Sequence, residues 1–167
     1  MDRKKDLVKL QHGEYVSPSK VESELKTCPF VDNICVYADS TKQFVVALIT
    51  PNTEQLTNIA LKQQSKSIFI LPKWILTYWL NILTVKLAGS LDEICSHSAV
   101  EKIALAEIKK HSIKCRLQKF EIPKAIKLVA DIWTPETGLV TSAFKLKRRN
   151  IEARYQSVID AMYSKCP

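Results

Sequence analysis

The sequence predicts an α+β domain, a small mixed or antiparallel sheet flanked by helices. Capping residues mark helix starts at Ser17-Pro18 and at Ser98. Two short apolar runs, 33–38 and 43–49, flank the polar loop Asp39-Ser40-Thr41-Lys42, which is the pattern of a hairpin. The 167 residues are 46% apolar and 25% charged with only 3 Gly, which suits one globular core and excludes collagen-like or disordered classes.

In chain order, the first helix begins at Pro18, capped by Ser17, with Ser19 and Glu22 at capping-box spacing. Val21 and Leu25 share its apolar face. Pro29 disfavours helical geometry at Cys28, so the helix is expected to stop near Thr27. The two apolar runs follow as antiparallel strands, and Asn52 caps a modest helix carrying Leu56, Ile59 and Ala60. Ser98 and Glu101 predict a capping box for a strong helix reaching about Ser112, with Val100, Ile103, Ala104 and Ile108 at helical spacing. Ala125 to Val129 reads as extended and leads through Trp133-Thr134-Pro135 to a turn at Gly138. The last helix, from about Arg148 to Ser164, aligns Ile151, Tyr155, Val158, Ile159 and Met162 in one stripe. Core packing accounts for all of these stripes.

Residues 68–87 stand apart, with fourteen apolar residues in twenty. A helix of that length would be about 30 Å long, enough to span a bilayer. Pro72, Lys73, Asn81 and Lys86 oppose a span, since a lysine in hydrocarbon costs a few kcal/mol unless it snorkels. A transmembrane span, a membrane-surface or partner-contact segment, and sequence foreign to the fold remain open readings.

A net charge of +8 and a pI near 9.3 point to an anionic partner: nucleic acid, nucleotide phosphate or an acidic membrane face. No RNA-binding, zinc or helix-turn-helix pattern accompanies the charge, so no nucleic-acid partner is expected. The five cysteines include no C-x-x-C pair and no His cluster, so neither a metal site nor a disulfide framework is expected. Met1-Asp2-Arg3-Lys4-Lys5-Asp6 has no apolar stretch, so no cleavable signal peptide is expected, and the chain reads as starting in mid-element.

Two segments carry a resemblance. The first runs Asp2-Arg3-Lys4-Lys5-Asp6-Leu7-Val8-Lys9-Leu10-Gln11-His12-Gly13-Glu14-Tyr15-Val16-Ser17-Pro18. The second runs from Trp133-Thr134-Pro135-Glu136-Thr137-Gly138-Leu139-Val140-Thr141 to Phe144-Lys145-Leu146-Lys147-Arg148-Arg149. Both resemble the long-chain fatty acyl-CoA synthetase branch of the adenylate-forming superfamily. The likeness covers residues 1–64 and 90–163, or 138 of 167, including Leu117 to Pro123. It assigns them to the C-terminal lid subdomain. Residues 65–89 look like an apolar insertion foreign to the pattern: an aberrant splice, a retained non-coding segment or a lineage-specific insertion.

The resemblance implies a two-step ligation of a long-chain fatty acid to coenzyme A, driven by ATP with Mg²⁺. A fatty carboxylate attacks the α-phosphate of ATP, giving acyl-adenylate and pyrophosphate; the lid then turns, and the thiol of coenzyme A displaces AMP. It implies catalytic roles for Lys145, in adenylation, and for Lys9, on the face used in thioester formation. Lys5 falls at the hinge, Arg3 at the nucleotide ribose, and Gly13 in the loop beside coenzyme A. From the residues alone, Lys145, Lys147, Arg148 and Arg149 read as a solvated basic run at a helix start, and Lys4, Lys5 and Lys9 as exposed strand lysines. One departure is Phe144, which stands where the superfamily usually has glycine, as it does in the long-chain branch. The phosphate loop, acyl tunnel and adenine pocket belong to a large N-terminal domain not present here, so the chain alone is expected to be inactive. The cytosolic face of the endoplasmic reticulum or another intracellular membrane is the location implied. The alternative is a basic, non-catalytic module binding a membrane or partner through residues 67–87.

Overall fold

A computed structural model describes residues 7–52, 54–55 and 91–165. The helix expected beyond Asn52 and the apolar segment 68–87 fall outside these residues; what remains of the former is the Asn52 side-chain oxygen, which accepts from the Gln55 amide at 3.1 Å. In chain order the elements are strands β1 (Val8–Lys9) and β2 (Tyr15–Val16), helix α1 (Pro18–Leu25), strands β3 (Val31–Tyr37) and β4 (Val46–Pro51), helices α2 (Leu91–Ser96) and α3 (Ser98–Lys114), strand β5 (Ala125–Leu128) and helix α4 (Arg148–Lys165). The fold is α+β, as expected.

β3 and β4 pair antiparallel, with Cys35 opposite Leu48, and β5 adds to the other edge of β4 in parallel. The central strand β4 is buried throughout. Its odd and even residues divide between two cores, which is why its sequence is a continuous apolar run rather than an alternation. Ala47 and Ile49 join Val21 and Leu25 of α1 and Val100, Ala104 and Ile108 of α3. Val46 and Leu48 join Trp133, Leu139, Val140 and, from α4, Ile151, Tyr155 and Ile159. The sheet therefore lies between two helical layers.

Both expected capping boxes fail, for the same reason. Ser17 caps α1, accepting from the Lys20 amide at 3.4 Å, while Glu22 is buried and bonded elsewhere. At α3 the cap is His97, whose Nδ1 accepts from the Ala99 amide at 3.3 Å, and Glu101 instead reaches Lys127 at 2.8 Å. In each case a distant partner outbids the local backbone amide, because a charge-assisted hydrogen bond is the stronger one. α3 closes with Arg116 in the left-handed region at φ 55° and the Leu117 amide bonded back to the Ser112 carbonyl at 3.1 Å.

Candidate functional site

Leu139, Val140 and Trp133 are anchored in the second core, and the chain between them and α4 forms a tight hairpin. Gly138 turns the backbone at φ 72°, and the Asn150 side-chain amide donates to its carbonyl at 2.8 Å. Val140 and Leu146 form an antiparallel bridge. Across it the Lys147 amide donates to the Leu139 carbonyl at 2.9 Å and the Thr141 amide to the Lys145 carbonyl at 2.8 Å. The Thr141 hydroxyl accepts from the Lys145 amide at 3.1 Å. Backbone order thus runs up to Lys145 while its side chain is exposed. A lysine held this way presents a charge without first having to organise its loop.

Phe144 occupies the tip at φ 55°, with its ring 63% exposed. Glycine is the residue this backbone geometry favours, and a side chain there costs about 1–2 kcal/mol. Phe144→Gly should therefore leave stability unchanged or raise it by up to about 1 kcal/mol, the relief being offset in part by glycine's extra entropy when unfolded. Phe144→Val should lower it, since a branched side chain suits this region least. Thermal melting of the two variants decides: a lower melting temperature for the glycine variant would show that the phenyl ring packs to some purpose.

Lys145 lines an open groove of about 750 Å³ between this hairpin and α1, together with Lys26, Lys147, Arg148 and Arg149. Among the described residues lining it, Glu22 is the one carboxylate, and it is bound by Arg148. The groove is accordingly a place for an anion. The basic run is only in part a solvated one: Lys147 and Arg149 are exposed, but Arg148 reaches inward. The sequence marks Glu22 only as a capping-box residue and Arg148 only as part of a basic run, not as partners. Their partnership spans 126 residues, and no local spacing marks it.

Lys9 and Gly13 are not among the residues lining this groove; they belong to the β1–β2 hairpin. Register places Lys9 opposite Tyr15, and its Nζ stands 5.9 Å from that ring's centroid. Gly13 makes the turn at φ 96°, its amide donating to the Leu10 carbonyl at 2.9 Å, with open space where a Cβ would be. Glycine is thus required there by backbone geometry and not by crowding. Arg3 and Lys5 lie outside the described residues. Among the described residues, no group of three His, Cys, Asp or Glu could hold a metal ion, and no helix is long and apolar enough to cross a membrane.

Burial raises the thiols of the core: Cys35, on β3 in the second core, is pushed up to about 12, chiefly by desolvation, with Glu22 adding to it. At the other end of the second core, Asp131 accepts from the Tyr155 hydroxyl at 2.5 Å and from Arg154 at 3.0 Å. Those bonds hold its carboxyl below the usual range, the Tyr155 hydrogen bond contributing most.

No family model matches the chain. It is 37% identical over 164 residues to long chain acyl-CoA synthetase 8 of Arabidopsis thaliana, covering 98% of this chain and 20% of that protein. It is 35% identical over 164 residues to long-chain-fatty-acid–CoA ligase 1 of Schizosaccharomyces pombe, covering 98% of this chain and 21% of that one. The chain thus spans about one fifth of the length of the relatives it matches. The fold is similar to part of the A domain of carboxylic acid reductase from Segniliparus rugosus, solved with AMP and a co-purified carboxylic acid. There the TM-score is 0.72 at 25% identity, over 99% of this chain and 21% of that one.

Proposed function

We propose that the chain is the lid segment of a long-chain fatty acid–CoA ligase, a homologue of one fifth of those enzymes, and that it works only when joined to the rest. The observation that carries this is Lys145, exposed at the tip of a hairpin pinned by backbone hydrogen bonds, in a chain homologous to such ligases over nearly its whole length. The AMP and carboxylic acid in the Segniliparus A domain are the kinds of group this lysine would meet.

In this reading the Lys145 ammonium approaches the fatty carboxylate and the α-phosphate of ATP while pentavalent charge builds up, and stabilises that charge. Pyrophosphate leaves. The lid then turns, a gating motion of a familiar kind, and offers the face carrying Lys9 and the Gly13 turn to coenzyme A. That neither Lys9 nor Gly13 lines the Lys145 groove suits a lid that uses two faces in turn. Arg3 at the ribose, Lys5 at the hinge, and Mg²⁺ held by the rest of such an enzyme complete the proposal. Residues 65–89 are read as an insertion, with 67–87 the segment that would touch a membrane. The cytosolic face of the endoplasmic reticulum or another intracellular membrane is the proposed location.

The test is complementation. Grafted in place of the matching fifth of the Arabidopsis synthetase, the chain should restore palmitoyl-CoA synthesis from palmitate, ATP and coenzyme A. Alone it should turn over none of them. Turnover by the isolated chain above its own Lys145→Ala control would overturn the lid assignment, as would a well-folded graft without activity.

A further inference from the structure

We propose that Arg148, held by Glu22, is the positioning residue that sets where Lys145 is presented, a proposal that rests on the adenylation role read for Lys145 above. Arg148 is the first residue of α4, three residues beyond Lys145. Its guanidinium reaches back across the groove to two other elements. Nη2 donates to Glu22 Oε2 at 2.6 Å and to the Ser19 hydroxyl at 3.3 Å, both on α1. Nη1 donates to Glu22 Oε1 at 2.8 Å, to the Val36 carbonyl at 3.2 Å and to Cys35 Sγ at 3.9 Å, the last two on β3. Glu22 is fixed in turn, because Oε1 also accepts from the Val36 amide at 2.7 Å.

This clamp adds a second anchor to a hairpin whose own backbone hydrogen bonds end at Lys145. One root, Leu139 and Val140, is buried in the second core, but the tip from Ser142 to Lys145 is exposed and includes the left-handed Phe144. Strained backbone persists only where its surroundings over-determine it. The forked, planar guanidinium bonds a carboxylate through two parallel bonds and so fixes direction as well as distance, which a lysine in its place would not.

The pair also resolves an electrostatic conflict. A cation in the first turn of a helix opposes the helix dipole, and the Glu22 carboxylate offsets it. Conversely, Glu22 is the one carboxylate among the described residues lining the groove, and without Arg148 it would repel an incoming anion and compete for Lys145. Arg148 thus aims the lysine and keeps it available.

The experiment uses the grafted full-length ligase, with each half-reaction timed separately: adenylation by pyrophosphate release, thioester formation from preformed palmitoyl-adenylate. Arg148→Lys and, as a milder variant that keeps shape and the Val36 bond, Glu22→Gln should each lower the adenylation kcat about ten- to a hundredfold, with KM for ATP little changed and thioester formation intact. The double variant should be no slower than the worse single one, since both remove the same clamp. Adenylation at the parent rate in folded Arg148→Lys or Glu22→Gln overturns the proposal. So does an equal loss in both half-reactions that tracks the fall in melting temperature, which marks a mere staple. Lys145→Ala, run alongside, separates the two levels: if it leaves adenylation intact, the lysine's role fails and this proposal with it; if it slows adenylation while the clamp variants do not, only the clamp fails.

Discussion

Lys145→Ala in the grafted ligase should slow adenylation by about 10²–10³ while leaving thioester formation from preformed acyl-adenylate near its parent rate. Removing one preorganised charge contact to a transition state raises the barrier by about 2.7–4 kcal/mol. The effect should appear in kcat rather than in KM, because the ammonium meets more negative charge at the pentavalent phosphorus than in the ground state. Its side chain is exposed and bears no packing load, so the melting temperature should barely move. Single-turnover measurement of the two steps checks this. An unchanged first step with a collapsed second would place Lys145 on the wrong face of the lid.

Leu48→Ala should have the largest effect on stability, about 2–5 kcal/mol, because it opens a cavity where nothing can collapse to fill it. Leu48 is 1% exposed and lies on the central strand, with β3 and β5 on either side and the α4 layer above. For a chain of this size each kcal/mol lost lowers the melting temperature by roughly 2–4 °C. Ile113→Ala is the matched control, since Ile113 is 69% exposed near the end of α3 and should fall within about 0.5 kcal/mol of the parent. A tolerant Leu48 would mean that the two cores are not divided by β4 as described.

Much of this molecule was legible in its sequence because much of it is locally determined. Ser17-Pro18 starts α1 where expected and Pro29 bounds it; of the stripe expected along α4, Ile151, Tyr155, Ile159 and Met162 are buried and Val158 partly so, although the backbone kinks at Tyr155 (φ −112°, ψ 16°). Gly13 and Gly138 both adopt positive φ, the geometry for which glycine is chosen. The hairpin from Val31 to Pro51 follows from two apolar runs and a polar loop between them, with the second strand beginning three residues later than the run did. The resemblance to long-chain acyl-CoA synthetases was legible as well, since short ordered motifs can be compared without knowing what surrounds them.

What only the tertiary structure decided depends on partners far away in the chain. The sequence does not say that β5 adds to β4 in parallel, since pairing direction follows from how α2 and α3 carry the chain across the sheet. Glu22 and Glu101 each sit at capping-box spacing, and each leaves its box for a cation 126 or 26 residues on. A carboxylate drawn into a folded surface loses water, and a guanidinium or ammonium compensates for that loss better than one backbone amide does. Phe144 is the same lesson in the backbone: apart from standing where the superfamily usually has glycine, it does not announce a left-handed turn, which the bridge of Val140 to Leu146 and the start of α4 flank on either side. Local spacing selects the elements, and long-range electrostatics and packing then decide which of their residues face the groove that holds Lys145.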